Sequence, residues 1–513
     1  EYVQSPKVGR LPGLQDVKGD KINTSTWNFI KASPLSCVKE VKNLEPWVMT
    51  GLYCLSDILA IIISILLAYI LRCWLPVSLI PHGVLKPDIY IELWPIVVLF
   101  IIAYMITGLY PGVGVTAVEE LRRTTIATSL VFAVLCVWVF FSRVGFIYSR
   151  IVFFMAWAFS LFFVPIGRAL TRKLFCRKKW WGVSSVIMGA AKTGAEIVKI
   201  LNNTKTLGIK PIAMLDDDPK IQGKLIEGIP IIGGLEVAPM LAQKFKIKWA
   251  IMAMPGLDRH RLLEIWEENA AFFHHVIFIP DLFGFASLGV LPRDLGGILG
   301  IEIRQQLLRL GPKLAKAFVD LIVAVIALLI AAPLIPIIAL LIKLDSNGPV
   351  FYRQIRYGKD GRPFKAWKFR TMVVNADIVL KEYLAKHPEL KQEWDRDQKL
   401  RNDPRVTRVG KFLRKTSLDE LPQIFNVIKG EMSVVGPRPI VQNEIEKYGK
   451  YYFLYIKVKP GITGLWQVSG RNDVSYEERV ALDAYYVRNW SVWLDIYILA
   501  RTVPVALFGK GAY

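Results

Sequence analysis

The chain has 513 residues, 53 % of them hydrophobic, a mean hydropathy of +0.36 and a formal net charge of +22. That length exceeds one ordinary domain, and the hydropathy excludes an ordinary water-soluble globule. Five cysteines without paired spacing exclude a disulfide framework, and nucleic acid is not an expected partner, because the basic surplus gathers at the borders of apolar runs and around one acidic pair.

Residues 1–46 lack periodicity and read as an N-terminal tail; no short apolar region with a small-residue cleavage site marks a removable signal peptide. Four apolar segments follow, roughly 48–71, 91–109, 124–142 and 151–167, each near the ~20 residues that cross a bilayer as a helix. They predict a four-helix transmembrane domain over 47–180. Asp57 lies inside the first, where a packed hydrogen-bonding role in the bundle is expected, and Pro95 interrupts the second. Arg122 and Arg123 precede the third segment and "RALTRKLFCRKK" follows the fourth, whereas the loop between the first two is nearly free of basic residues. Positive charge on the inner side places the N-terminus, the loop between segments two and three and everything after residue 168 in the cytoplasm.

Residues 181–308 change character. β-branched runs ("SSVIM", "KPIAML", "KWAIMAMP", "HHVIFIPD") alternate with helical patterns, which predicts a Rossmann-like α/β domain with a parallel sheet. The first turn reads Gly189-Ala190-Ala191-Lys192-Thr193-Gly194, so Ala191 stands where a dinucleotide fingerprint has its second glycine. Asp216, Asp217 and Asp218 fall where a ribose-binding acid would, and where an acidic turn is equally ordinary. A structural or oligomerising role is favoured over nucleotide binding, and a homodimer through this domain is expected.

A long apolar run, Ala317 to Ile342, is flanked by Lys313 and Lys316 on one side and Lys343 on the other, and is interrupted by Pro333 and Pro336. Proline breaks or kinks a helix. A crossing would put residues 344–513 on the side opposite the basic loops. A re-entrant hairpin over 313–343, turning at the two prolines, keeps both flanks inside; a fifth spanning helix with a kink is the alternative left open.

The remainder is rich in arginine and lysine among turn residues, including Arg353, Arg356, Lys365, Lys368, Arg370, Arg405 and Arg414. Guanidinium forks match phosphate oxygens. Amid them stand two adjacent carboxylates, Asp419 and Glu420, in "KTSLDELPQ". Neighbours on a helix diverge by about 100°, so the pair suits unequal roles rather than two symmetric flanks of one bond. An ionised carboxylate is a competent nucleophile toward phosphorus once the electrophile's charge is screened, by the arginines and by Mg2+ held at Asp419 and Glu420. The competing explanation is a cap, with Ser417 opening a helix and the acids in its first turn.

The segments "KLDSNGPVFYRQIRYGKDGRPFKAWKFRTM", "DPRVTRVGKFLRKTSLDELPQIFNVIKGEMSVVGPRP" and "KPGITGLWQVSGRN" resemble the catalytic domain of the monotopic phosphoglycosyl transferases. With its preceding segments the whole resembles the long subgroup, polyprenyl-phosphate hexose-1-phosphate transferases, in the sense of undecaprenyl-phosphate galactose phosphotransferases. The resemblance implies a mostly α-helical monotopic catalytic domain over 309–513 in the bacterial inner membrane, facing the cytoplasm. It further implies a UDP-hexose and undecaprenyl phosphate as substrates, attack by Asp419 on the β-phosphorus with release of UMP, and assistance by Glu420 through Mg2+ or a proton. Lys368 and Arg370 fall on the family's "KFR" motif, and Arg414, Arg438 and Arg471 on its phosphate-binding arginines. The family's hairpin commonly breaks at Ser-Pro; here the pair is Ala332-Pro333, with Pro336 as compensation.

The aromatic residues Tyr485, Tyr486, Trp490, Trp493 and Tyr497 suggest seating in the headgroup layer. Rival assignments are a glycosyltransferase releasing UDP, an anchored nucleotide-sugar oxidoreductase, which would need a cleaner glycine turn and a Tyr-Lys pair, and a basic scaffold.

Overall fold

The computed structural model describes residues 46–74, 94–141, 149–178, 180–280, 290–294, 299–303, 310–387, 403–470 and 474–508. They fall into two compact units, one of residues 1–116 with 122–282 and one of residues 117–121 with 283–513. The N-terminal tail and Arg471 lie outside the described residues.

The first unit begins with helices α1 (Trp47–Trp74), α2 (Trp94–Ile106), α3 (Ala117–Phe141) and α4 (Arg150–Phe175). Among the described residues, α1, α3 and α4 are long and apolar enough to cross a membrane, while the expected second span is represented by a helix of 13 residues. At 1.5 Å per residue those 13 described residues extend about 20 Å. The fourth helix of spanning length lies in the other unit, at Leu310–Ala331. Helix α3 starts at Ala117 rather than near residue 124, because Glu119 and Glu120 suit the positive end of a helix.

Asp57 has the packed role its position suggests. Its Oδ2 accepts from Arg168 Nη1 at 2.6 Å and from the Tyr110 hydroxyl at 2.6 Å, and Arg168 Nη2 donates to the Leu109 carbonyl at 2.7 Å. Both charges are fully buried, so each depends on the other.

The sheet has the order β3-β4-β2-β1-β5-β6, formed by β1 (Val183–Met188), β2 (Ile209–Leu215), β3 (Leu225–Ile226), β4 (Ile229–Gly233), β5 (Trp249–Met252) and β6 (His275–Phe278). All neighbours are parallel except the β3–β4 hairpin. Val186, Met188 and Leu215 pack into one buried cluster and Ile187, Met214 and Ile251 into another, the two-residue alternation of strands covered on both faces. Helices α5 (Lys192–Asn203), α6 (Ala238–Lys244) and α7 (Arg259–Glu268) supply the crossovers. Gly189 adopts φ +97°, and a methyl group there would strike the Ala253 backbone. The acidic turn is bonded into the domain itself: Asp216 Oδ2 accepts from the Ala190 amide at 2.7 Å, and Asp217 from the Leu235 amide at 2.8 Å.

The second unit contains a hairpin of β7 (Val290–Asp294) and β8 (Leu299–Ile303), then α8 (Leu310–Ala331) and α9 (Leu334–Asp345). The chain breaks at Ala332-Pro333. Pro336 sits in the first turn of α9, where backbone N–H groups have no intrahelical acceptor in any case, so of the two expected kink residues only Pro333 marks the break. One face of the two arms is buried (Ala324, Ala331, Ile338, Ile342) and the other exposed and apolar, as at Phe318, Leu329 and Leu340.

A hairpin of β9 (Phe351–Tyr357) and β10 (Pro363–Phe369) precedes a mostly helical region: α10 (Ala376–Lys386), α11 (Arg408–Thr416), a 3-10 turn at Leu418–Gln423 and α12 (Ile424–Ile428). After it β11 (Ser433–Val435) pairs in parallel with β12 (Gly461–Thr463), followed by α13 (Leu465–Ser469), α14 (Tyr476–Arg488) and α15 (Val492–Phe508).

Arm α8 is tied to this region by buried polar groups. Lys316 Nζ donates to the Val435 carbonyl at 2.9 Å and lies 2.9 Å from Asp495 Oδ2, while Asp320 accepts from the Val434 amide at 3.1 Å and lies 2.8 Å from Ser433 Oγ. The Tyr486 hydroxyl and the Trp490 indole N–H also meet Asp495, at 2.7 and 3.1 Å. Tyr486 and Trp490 are therefore interior residues, not headgroup anchors: each polar tip has found a buried partner instead of water.

Candidate active site

Helix α11 is capped by Thr407, whose hydroxyl accepts from the Gly410 amide at 3.0 Å, and by Asp345, which accepts from the Val409 amide at 2.9 Å. It ends at Ser417 in the left-handed region, φ 56°, whose amide donates back to the Arg414 carbonyl at 3.2 Å. Ser417 thus closes one helix and its side chain makes no capping bond to the next. Asp419 and Glu420 stand in the first positions of the 3-10 turn, where successive side chains diverge by about 120°.

One cation reaches both. Lys368, near the end of β10, places Nζ 2.7 Å from Glu420 Oε1 and 3.9 Å from Asp419 Oδ2. The strand is held to the turn by Asn426, which is fully buried. Its Nδ2 donates to the Lys365 carbonyl at 2.8 Å and its Oδ1 accepts from the Trp367 amide at 3.0 Å, so a side chain takes the place of a neighbouring strand. A polar residue in the apolar "IFNVI" run was the available signal for this lock.

The environments of the two acids differ. Burial pushes Asp419 up to about 6, with Lys368 opposing and the Glu420 charge adding to the rise. Burial also acts on Glu420, but Lys368, Arg438 and Arg356 outweigh it and hold that carboxyl below its ordinary range. At neutral pH the pair is then two anions of unequal basicity. The more basic one, Asp419, has no cation closer than Lys368 at 3.9 Å among the described residues.

Arg414 is partly buried, donates from Nε to Thr371 Oγ1 at 3.0 Å, and interacts with the Asp419 charge. The Arg438 charge acts on Glu420. Arg356, not singled out from its motif, joins them: it donates to the Pro439 carbonyl at 3.0 Å and lies 3.8 Å from Glu444. Arg370 is placed differently. Its two Nη atoms donate to the Asn347 and Ser346 carbonyls at 2.7 and 2.6 Å, so it caps the C-terminal end of α9.

The arrangement presents a partly desolvated carboxylate beside a lysine and several guanidiniums, suited to attack on an anionic phosphorus centre. Its metal-binding capacity fits Mg2+: Asp419 and Glu420 are hard oxygen donors, and Asp419 is short of positive charge for its burial. No group of three His, Cys, Asp or Glu side chains forms a fuller cage among the described residues.

Residues 311–509 match the model of the bacterial sugar transferase family, and residues 105–280 that of a CoA-binding domain. The chain is 40 % identical over 374 residues to a UDP-galactose-lipid carrier transferase of Erwinia amylovora, covering 71 % of this chain and 76 % of that one. It is 38 % identical over 371 residues to an undecaprenyl-phosphate galactose phosphotransferase of Salmonella typhimurium, covering 71 % and 77 %. A UDP-glucose:undecaprenyl-phosphate glucose-1-phosphate transferase of Escherichia coli is 37 % identical over 336 residues, covering 64 % and 68 %.

Proposed function

The chain belongs to the bacterial sugar transferase family, and from that premise we propose that it transfers hexose 1-phosphate from a UDP-hexose to undecaprenyl phosphate, opening the assembly of a surface polysaccharide. The hexose is galactose in this reading, since relatives named for galactose are 40 % and 38 % identical and one named for glucose 37 %.

The observation that carries the reaction is the Asp419–Glu420 pair with Lys368 between its members. An Asp419 oxygen attacks the β-phosphorus of the UDP-hexose. The bond from that phosphorus to the bridging oxygen breaks, its electron pair leaves with the oxygen, and UMP departs. A phosphohexose is left on the aspartyl group. An oxygen of the lipid phosphate then attacks the same phosphorus and expels the Asp419 carboxylate, giving a polyprenyl-diphosphate hexose. Glu420, kept anionic, fixes Lys368 where it neutralises the diphosphate. Mg2+ bound at Asp419 and Glu420 would screen further phosphate charge.

The apolar arms α8 and α9 serve as a re-entrant hairpin in the cytoplasmic leaflet. Support comes from both outer ends being tied to one body: Lys316 to Val435 at one end, and Ser346 and Asn347 to Arg370 at the other. Cysteines at Lys313 and Lys343 should react with an impermeant reagent from the same side; reaction from opposite sides would exclude the hairpin.

The reaction is tested by assaying a panel of UDP-hexoses for UMP release and weighing the Asp419 peptide after trapping without lipid acceptor. UMP and a phosphohexose adduct are expected. UDP as the sole nucleotide product would overturn the mechanism.

A further inference from the structure

Two guanidiniums of the second unit share one aromatic ring. Arg479 Cζ lies 4.3 Å from the centroid of Trp466, and Arg438 Cζ 5.7 Å from it. Arg479 also lies 5.6 Å from the Tyr476 ring. Neither arginine has a carboxylate within ion-pair distance among the described residues, and both are only partly exposed.

Like charges held together and partly out of water repel; Glu444, Asp483 and Glu420 act on them only from beyond ion-pair distance, and a ring face offsets part of the remaining cost. Burial, and after it the Arg438 charge, lowers the pKa of Arg479. The donors nearby are also unmatched. Among the described residues, the Trp466 indole N–H, on a residue only 6 % exposed, the Arg479 Nε and the Tyr476 hydroxyl are buried donors without a hydrogen-bond partner, and Asp483 Oδ1 is a buried acceptor without one. Natural interiors rarely leave four such groups in one cluster. Arg438 acts on both Glu420 and Arg479, so the cluster continues from the acidic pair rather than standing apart from it.

We infer that Arg479, seated on Trp466 beside Arg438, completes a subsite for a second phosphate group, distinct from the phosphorus attacked at Asp419. Planar forks side by side on a ring are pre-set for the oxygens of a phosphate ester. This inference rests on the reaction proposed above, which brings two further phosphates to the site: the α-phosphate of the nucleotide and the phosphate of the lipid acceptor.

The full chain in lipid discs tests it through Arg479→Met and Arg479→Lys, with Arg488→Met as control on the same helix. The two half-reactions separate the sources. Slower adduct formation, with KM for the UDP-hexose raised about tenfold or more, assigns the subsite to the nucleotide. Normal adduct formation followed by slow discharge to undecaprenyl phosphate assigns it to the lipid. Arg479→Lys should recover part of either loss, and Arg488→Met should show none. Unchanged kinetics in both half-reactions for Arg479→Met overturn the subsite. Equilibrium binding of UMP and of inorganic phosphate provides a readout without turnover. If the wild type forms no adduct yet Arg479→Met binds these anions about tenfold more weakly, the subsite stands and the aspartyl mechanism fails; equal binding removes the subsite.

Discussion

Lys368 and Glu420 meet at 2.7 Å, and the same ammonium lies 3.9 Å from Asp419. The lysine lowers the basicity of both carboxylates. Removing it in Lys368→Met should raise the pKa of Asp419 above about 6. Adduct formation by the wild type should fall as pH drops through that value, because the nucleophile is the ionised form. In the variant this acid limb moves to higher pH, and the rate at pH 7 falls by about tenfold or more. A pH profile of UMP release checks it; an unmoved limb would show that Asp419 does not titrate in the rate.

Asn426 should prove as costly to change as a residue touching substrate. Asn426→Leu leaves the Trp367 amide and the Lys365 carbonyl unpaired inside the protein, a loss of about 2–4 kcal/mol. Asn426→Asp should be worse, since Nδ2 now donates to Glu431 at 2.6 Å and a carboxylate there would face that acid. Thermal unfolding in detergent measures both, and a Tm within a degree or so of wild type would contradict the lock.

Asp57→Ala strands the buried Arg168 charge and should destabilise the bundle by about 3–5 kcal/mol. The double variant Asp57→Leu with Arg168→Leu removes both charges and should lose less than Asp57→Ala alone. Thermal aggregation of solubilised protein ranks the two; the reverse order would mean that the pair is held open to water.

The prolines of the apolar arms should separate cleanly. Pro336→Ala replaces a first-turn residue and should leave activity and accessibility near wild type. Pro333→Leu permits the helix to continue across the break, and residues flanking α9 should then change their labelling pattern. Impermeant thiol labelling at Lys343→Cys reads the difference.

The parts written in strong local chemistry could be read in advance. Alternation in "SSVIM" and "KPIAML" placed the parallel strands, and an isolated Asp57 in a lipid-length run demanded a buried partner. The adjacency of Asp419 and Glu420 among basic residues marked the candidate site. What escaped depends on tertiary packing. Tyr486 and Trp490 carry the same apolar bodies and polar tips whether they face headgroups or Asp495, so composition could not distinguish core from interface. Arg370 shares a motif with Lys368, yet it stands just past the end of β10, where its guanidinium reaches the Ser346 and Asn347 carbonyls. Ser417 looked like a helix opener because its residue type favours caps, whereas its backbone closes α11. Arg479 and Trp466 are thirteen residues apart and become neighbours only when α13 and α14 fold together.

The bonds from Lys316 and Asp320 to Ser433, Val434 and Val435 mean that the greasy arm is a structural part of the chemical machinery. Trimming it away to obtain a soluble fragment would leave the Val434 amide without Asp320 and take Lys316 from the Val435 carbonyl, which would keep only Ser433 and Tyr486, three residues upstream of Arg438. A truncated enzyme would lose its grip on phosphate along with its grip on lipid, and detergents that pry the arm loose should inactivate before they unfold.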